Sequence, residues 1–254
     1  MADQRNIIPN ADHGPRVVGQ SIMEESSTQK HRLGTRLVIG DRVFRYALAG
    51  ATNLTAAYVC GMPGALTSED TVTVAHAIGT MTVTVTASGI AANQFAEGYL
   101  VVDEGTGAGE TYKIKSNTAT SGGLITCTLY DGLVTAWSTS DTDVTLIGSP
   151  YYKIIVVPTD GIIMPVGVPL IAVTAAYYCW IQTWGPCGVK IDGTSGALGN
   201  LITERQFGVS GSTAGATDIY TVGGAGSAKF AEAMLDSADY NDTKIEPVYL
   251  TICP

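Results

Sequence analysis

Three histidines limit the chemistry open to this chain. His13, His31 and His76 are the only imidazoles in 254 residues, and a serine or cysteine nucleophile at neutral pH needs a base beside it. His13 and His31 fall in a stretch broken by Pro9, Gly14, Pro15 and Gly19, and His76 stands between Ala75 and Ala77 at the start of a strand pattern. None has an evident triad partner, so no catalytic residue is expected. The five cysteines, Cys60, Cys127, Cys179, Cys187 and Cys253, include no CxxC pair. An odd, dispersed set fits free buried thiols better than a zinc cage or a disulfide framework. Cys179 and Cys187 could approach each other across a hairpin turning at Trp184-Gly185-Pro186, but a cytoplasmic product is not expected to form the bridge.

The run Gly105-Thr106-Gly107-Ala108-Gly109-Glu110-Thr111 has the glycine density of a phosphate cradle. A P-loop places Lys before Ser or Thr and hands the phosphate to a helix N-terminus. Here Glu110 takes the lysine position and a strand pattern follows, which marks a glycine hairpin loop. Asp236, Asp239, Asp242 and Glu246, and separately Asp141 with Asp143, supply oxygen atoms without the EF-hand order. They read as solvated loop charge, and no metal or other cofactor is expected. Tyr177, Tyr178, Trp180 and Trp184 form the densest aromatic group. On a strand Tyr178 and Trp180 share one face with Gln182. The expected use of Tyr178, Trp180 and Trp184 is an oligomer interface, and carbohydrate stacking is the competing use.

The elements that would position these residues are strands. Charged residues make up only 15% of the chain and there are 30 glycines, a composition of strands and turns rather than helices. Met81-Thr82-Val83-Thr84-Val85-Thr86 alternates apolar and polar, the pattern of a half-buried antiparallel strand. Further strands are expected at 35–39, 43–46, 98–103, 110–115, 124–130, 143–147, 153–157, 168–174, 177–183, 188–191, 218–222 and 248–252, and one helix at 228–235 capped by Ser227. The expected class is all-β, with two small barrel-like or sandwich-like domains and an extended N-terminal arm. Residues 1–32 form the arm, ordered only by a partner apart from a possible helical turn at 22–29. Residues 33–75 are a β segment pairing with the C-terminal domain, 76–160 a central barrel and 161–254 the C-terminal domain.

Charge is unevenly placed along this plan. Residues 1–45 carry seven of the 14 Lys and Arg against five acids, a net +2, and the remainder carries −11. An arm so diluted by acids lacks the dense basic footprint of a nucleic-acid binder, and the acidic body would repel phosphates. Asp3, Gln4, Arg5, Asn6 and Asn10 interrupt any signal-peptide core, and the longest apolar stretches are too short or too interrupted for a bilayer. Neither nucleic acid nor membrane is an expected partner. A protein surface suits the mildly basic arm better.

Several motifs carry a resemblance. Residues 41–50 (DRVFRYALAG), 97–107 (EGYLVVDEGTG), 166–169 (VGVP) and 177–187 (YYCWIQTWGPC) are similar to head decoration, or capsid cement, proteins of tailed bacteriophages. The resemblance spans residues 33–191. This chain lacks a glycine between Asp41 and Arg42 that the related motif often has. What the resemblance implies is a non-enzymatic protein of the virion, made in the host cytoplasm. It would bind the major capsid protein on the outer surface as a homotrimer and clamp neighbouring capsomers. Arg5, Arg16, Lys30, Arg32 and Arg36 are the expected capsid contacts, with Phe44 and Tyr46 packing at the root of the arm. A carbohydrate-binding module and a phage tail or baseplate component are the alternatives.

Overall fold

The computed structural model describes residues 7–10, 14–17, 19–63, 67–139, 141–159, 163–192, 206–220, 229–235 and 244–254. The chain divides into two compact units, one of residues 1–63 with 151–254 and one of residues 64–150. Both are built from antiparallel strands, and the described residues contain no helix. The fold is all-β with two barrel-like domains.

The first unit opens with β1 (Ile7–Asn10) and β2 (Gly14–Val17), a hairpin whose strands, among the described residues, pair only with each other. Pro9 lies opposite Pro15. Two prolines cannot exchange N–H bonds, so the bonded pairs are Ile8 with Arg16 and Asn10 with Gly14, and each proline lies where an N–H would face outward. Both outer edges of the hairpin are thereby blunted. Residues 19–32 then cross the sheet as a strap, so part of the expected disordered arm is folded onto its own chain. In place of the expected helical turn there is a single tight turn, Glu24 N–H donating to Ser21 O at 3.2 Å. Next come β3 (Arg36–Ile39) and β4 (Arg42–Leu48), joined by Gly40-Asp41 with Gly40 at φ 61°. A glycine at that position gives a two-residue type II′ turn without any insertion. A short strand, β5 (Cys60–Gly61), ends this stretch.

The second unit comprises β6 (Thr67–Thr71), β7 (Thr82–Thr86), β8 (Tyr99–Glu104), β9 (Thr111–Asn117), β10 (Leu124–Leu129) and β11 (Asp143–Ile147). They form one sheet in the order β6-β11-β8-β9-β10-β7, and a Val72–Val85 bridge draws its two ends together into a nearly closed barrel. Alternation fills it: Val83, Val85, Leu100, Val102, Ile114, Ile125, Leu129, Val144 and Leu146 all point into one buried core. The first domain boundary lies at Pro63/Gly64 rather than 75/76, because β6 pairs with β11. The second lies at Pro150/Tyr151, because β12 (Ile155–Val156) pairs with β5 in the first unit.

The first unit is completed by β13 (Pro165–Pro169), β14 (Tyr178–Lys190), β15 (Gln206–Val209), β16 (Thr217–Ile219), β17 (Ala231–Ala233) and β18 (Ile245–Thr251). The sheet runs β12-β5-β13-β14-β18-β17-β15-β16, with β4 also paired to β14 and β3 to β4. Two expectations fail here. The break between the expected strands 177–183 and 188–191 is absent: β14 is one strand of 13 residues that pairs with β4 up to Trp184 and with β18 from Trp184 onward. Gly185, at φ 89° with its Cβ position 2.4 Å from Asp41 O, bends the strand instead of reversing it. Cys179 and Cys187 therefore lie eight residues apart along one strand, roughly 26 Å at a strand's rise, and all five thiols are free. The expected helix at 228–235 is also absent: Ala231–Ala233 is β17, hydrogen-bonded between β15 and β18. Eight residues are too few to hold a helix without packing, and two flanking strands outweigh the propensity.

Candidate attachment site

The strap and the surface beneath it bring together most of the residues that the sequence marks for attachment. Gly19 at φ 115° and Gly34 at φ 76° bound it, a left-handed conformation that glycine adopts without strain. Gln20 is its buried anchor. Its Nε2 donates to Glu24 O at 2.8 Å and to Tyr178 O at 2.9 Å, and its Oε1 accepts the Tyr46 hydroxyl at 2.6 Å. Trp180 Nε1 donates to Gln20 O at 3.2 Å. Further along, Ser26 and Tyr178 exchange backbone bonds of 2.9 and 2.8 Å, so the strap adds briefly to the start of β14. The Glu25 carboxylate accepts the backbone N–H and hydroxyl of Thr174.

His31 closes the strap over the aromatic face. Its ring lies 5.1 Å from Tyr46, edge on, and 5.1 Å from Trp180, and its buried Nε2 has no hydrogen-bond partner. Burial pushes the His31 pKa below the usual histidine value, so the neutral ring is favoured. Tyr46 is pushed up to about 12 by burial and stays a hydroxyl donor, while it also accepts Lys30 N–H at 3.1 Å. Tyr178 stacks on Tyr46 at 5.9 Å, and burial raises its phenol as well.

The expected contact residues divide into four groups. Lys30, Arg32 and Arg36 are exposed, the last on β3. Arg16 belongs to β2, and Arg5 lies outside the described residues. Phe44 and Tyr46 are 0% exposed and Trp180 1%. Trp180 therefore cannot touch a partner directly, which corrects its assignment as an oligomer contact, whereas Phe44 and Tyr46, expected to pack at the root of the arm, could contribute to attachment only from beneath. They form the packed root on which the strap sits. Trp184 is half-buried, edge-on to Tyr249 at 5.7 Å, and Tyr178 is half-buried under the strap. No periodicity announced Gln20, Glu25, Ser26 or His31, because their partners lie up to 160 positions away.

Other polar clusters tie loops together. Glu110 accepts the Tyr112 hydroxyl at 2.6 Å and the Thr135 hydroxyl, and Tyr112 OH in turn accepts Val134 N–H at 2.9 Å. Burial alone would raise the Glu110 carboxyl, but these donors hold it below the usual carboxylate range. The expected glycine loop is thus knotted to the 133–137 turn, with its lysine-position residue occupied. Buried Asp192 accepts the hydroxyls of Ser210 and Ser212, and the Ser210 oxygen accepts Ser212 and Thr213 N–H. Cys127, Cys179 and Cys187 are pushed up to about 12 by burial, and Cys60 well above its usual value; such thiols do not attack. His76 Nε2 accepts Thr84 N–H at 3.1 Å. Asp141 accepts the Thr106 hydroxyl at 2.8 Å, while Asp236, Asp239 and Asp242 lie outside the described residues. Among the described residues no group of His, Cys, Asp and Glu has the arrangement of a metal site. Compared with known families, curated proteins and solved structures, the chain gives no match, so what it does has to be argued from its own geometry.

Proposed function

We propose that this chain is a structural protein of a phage virion. In this reading it is made in the host cytoplasm, binds the major capsid protein on the outer surface as a homotrimer, and clamps neighbouring capsomers without chemistry. The observation that carries the reading is the hairpin β1–β2. Its strands pair with no other described strand, and a lone two-stranded hairpin is marginal in water. Behind it the strap is fixed to the aromatic platform by Gln20, Ser26 and Glu25. An element that joins no larger sheet among the described residues, next in the chain to an anchored stem, suits a grip completed by a partner. Several such grips in an oligomer sum through multivalency. The resemblance of residues 41–50, 97–107 and 177–187 to motifs of capsid cement proteins favours the same reading.

The test separates the hairpin from the strap. Removal of residues 1–18 leaves Gln20 and every bond it makes in place, so the fold is retained with an unchanged melting temperature. Occupancy on purified capsids, measured by cosedimentation, falls by about tenfold or more, as expected for loss of one multivalent arm. Unchanged occupancy would make the hairpin a passive terminus. Failure of the full chain to cosediment with capsids at all would overturn the attachment reading.

A further inference from the structure

The hairpin of β3 and β4 presents an open, arginine-rich sheet edge. Register and turn fix which backbone groups are free. Ile39 and Arg42 close the two-residue turn as a bonded pair, and at the other end Tyr46 N–H donates to Thr35 O at 3.1 Å. Between them Leu37 and Phe44 form the next bonded pair, because bonded and non-bonded pairs alternate in an antiparallel ladder. The N–H and C=O groups of Arg36 and Val38 therefore point away from β4. On that side β3 pairs with no described strand. Unlike β1 and β2, this edge has no proline to blunt it.

Side chains on the same stretch show what such an edge would accept. Arg36 is exposed and Val38 is 44% exposed, while Leu37 between them is buried. Arg36 lies directly opposite Arg45 on one face of the hairpin, and like charges in that position repel. No carboxylate within the described residues pairs with either. Arg45 turns its guanidinium to Gly34 O and Cys253 Sγ, both at 3.2 Å, and keeps a buried Nε without an acceptor. Arg42 completes the set on the other face, 5.4 Å from the Phe44 ring centre. Three arginines face one acid, Asp41, across the whole hairpin.

We propose that the outer edge of β3 is an acceptor for an extended, carboxylate-bearing segment of a partner protein. Such a segment pairs with the free backbone groups of Arg36 and Val38 and sets its acid against the Arg36–Arg45 pair. Main-chain bonds supply affinity and the charge selects the sequence. The unpaired like-charge pair argues for an acidic occupant over an apolar or basic one. This surface is distinct from the β1–β2 hairpin, and its test needs no capsid.

The probe is a blocked hexapeptide of alternating glutamate and valine, with its lysine and valine counterpart as control, titrated into the 15N-labelled full chain. The acidic peptide shifts the Arg36 and Val38 amide resonances, and its affinity weakens with added salt. The basic peptide leaves them unmoved. Arg36→Glu raises the dissociation constant by about tenfold or more, the weight of one charge-assisted contact. Val38→Pro removes only an outward N–H, so binding is lost while the melting temperature stays close to that of the wild type. Equal binding of both peptides, shifts confined to other strands, or unchanged affinity in Arg36→Glu would overturn the proposal. Should Val38→Pro fail to fold, the amide map and Arg36→Glu decide the matter alone. A wild-type chain that occupies capsids but never binds the acidic peptide would sink the edge and leave the attachment reading standing; one that binds the peptide but not capsids would do the opposite.

Discussion

At the residue scale the strap depends on one side chain with three partners. Gln20 bonds two carbonyls and one hydroxyl inside the platform, and nothing in its sequence neighbourhood distinguishes it from any loop glutamine. Tyr46→Phe keeps the ring packing but leaves Gln20 Oε1 and Lys30 N–H without that partner. It should cost about 1 to 3 kcal/mol, the penalty for an unpaired buried polar group, read as a lower urea midpoint with an unchanged slope. His31 and His76 make the second prediction. Burial lowers both pKa values below 6.5, so the unfolded chain takes up protons before the folded one. Their contribution is fully present above about pH 7, is lost as pH falls through 6.5, and levels off below the folded values. Protonated His76 must also give up the Thr84 bond at Nε2. Unfolding free energies from pH 7.5 to 5 should decline, and His31→Phe should flatten part of that decline. Glu110, whose pKa is lowered, contributes above its usual range and loses its share only at more acid pH, so the two effects occupy separate windows. An identical pH profile for His31→Phe would show that its imidazole stays neutral or escapes to water.

At the element scale, period-two alternation was legible and backbone bends were not. Thr82–Thr86 and Leu124–Leu129 alternate cleanly in burial, as their sequences promise. Short strands such as Cys60–Gly61 and Ala231–Ala233 carry too few residues for any period. In β14, Gly185-Pro186 has the composition of a turn, yet the close approach of Asp41 O makes it a bend within a strand. The glycine loop 105–109 was legible as a hairpin loop, but what demands its glycines was not. A Cβ on Gly105 would fall 1.5 Å from Asp141 O, at φ 77°. Backbone stands in the way, so no side chain can rotate to make room. Gly105→Ala should destabilise the barrel by about 3 kcal/mol or more from strain and displacement combined. Gly109→Ala is the control, since it has a similar φ of 94° but nothing within 4 Å, and should cost about 1 kcal/mol. Equal losses in thermal unfolding would mean that the Asp141 segment simply moves aside.

At the scale of the whole molecule the barrel of residues 64–150 is an insertion in the chain of the first unit. Gly61 pairs with Ile155 just outside the junction and Thr67 with Ile147 just inside it, and paired residues stand about 5 Å apart. From sequence, residues 33–75 are expected to pair with the C-terminal domain but with no partner strand named, because the register of β4 against β14 is long-range information that no local pattern contains. Each unit has its own buried cluster, Val83 to Leu146 in one and Val168 to Leu250 in the other, so each has the core that independent folding requires. Replacing residues 64–150 by a short Gly-Ser linker should therefore leave a folded remainder, and residues 64–150 alone should fold. Tryptophan makes the two readouts separable, because Trp137 is the sole indole of the barrel while Trp180 and Trp184 lie in the remainder. Both pieces should show a cooperative thermal transition with blue-shifted emission before it and red-shifted emission after. A remainder that lacked such a transition would mean that β4, β5 and β12 need the inserted barrel to hold them. A remainder that folds and still binds the acidic peptide would locate recognition entirely in the unit that carries the strap and the β3 edge.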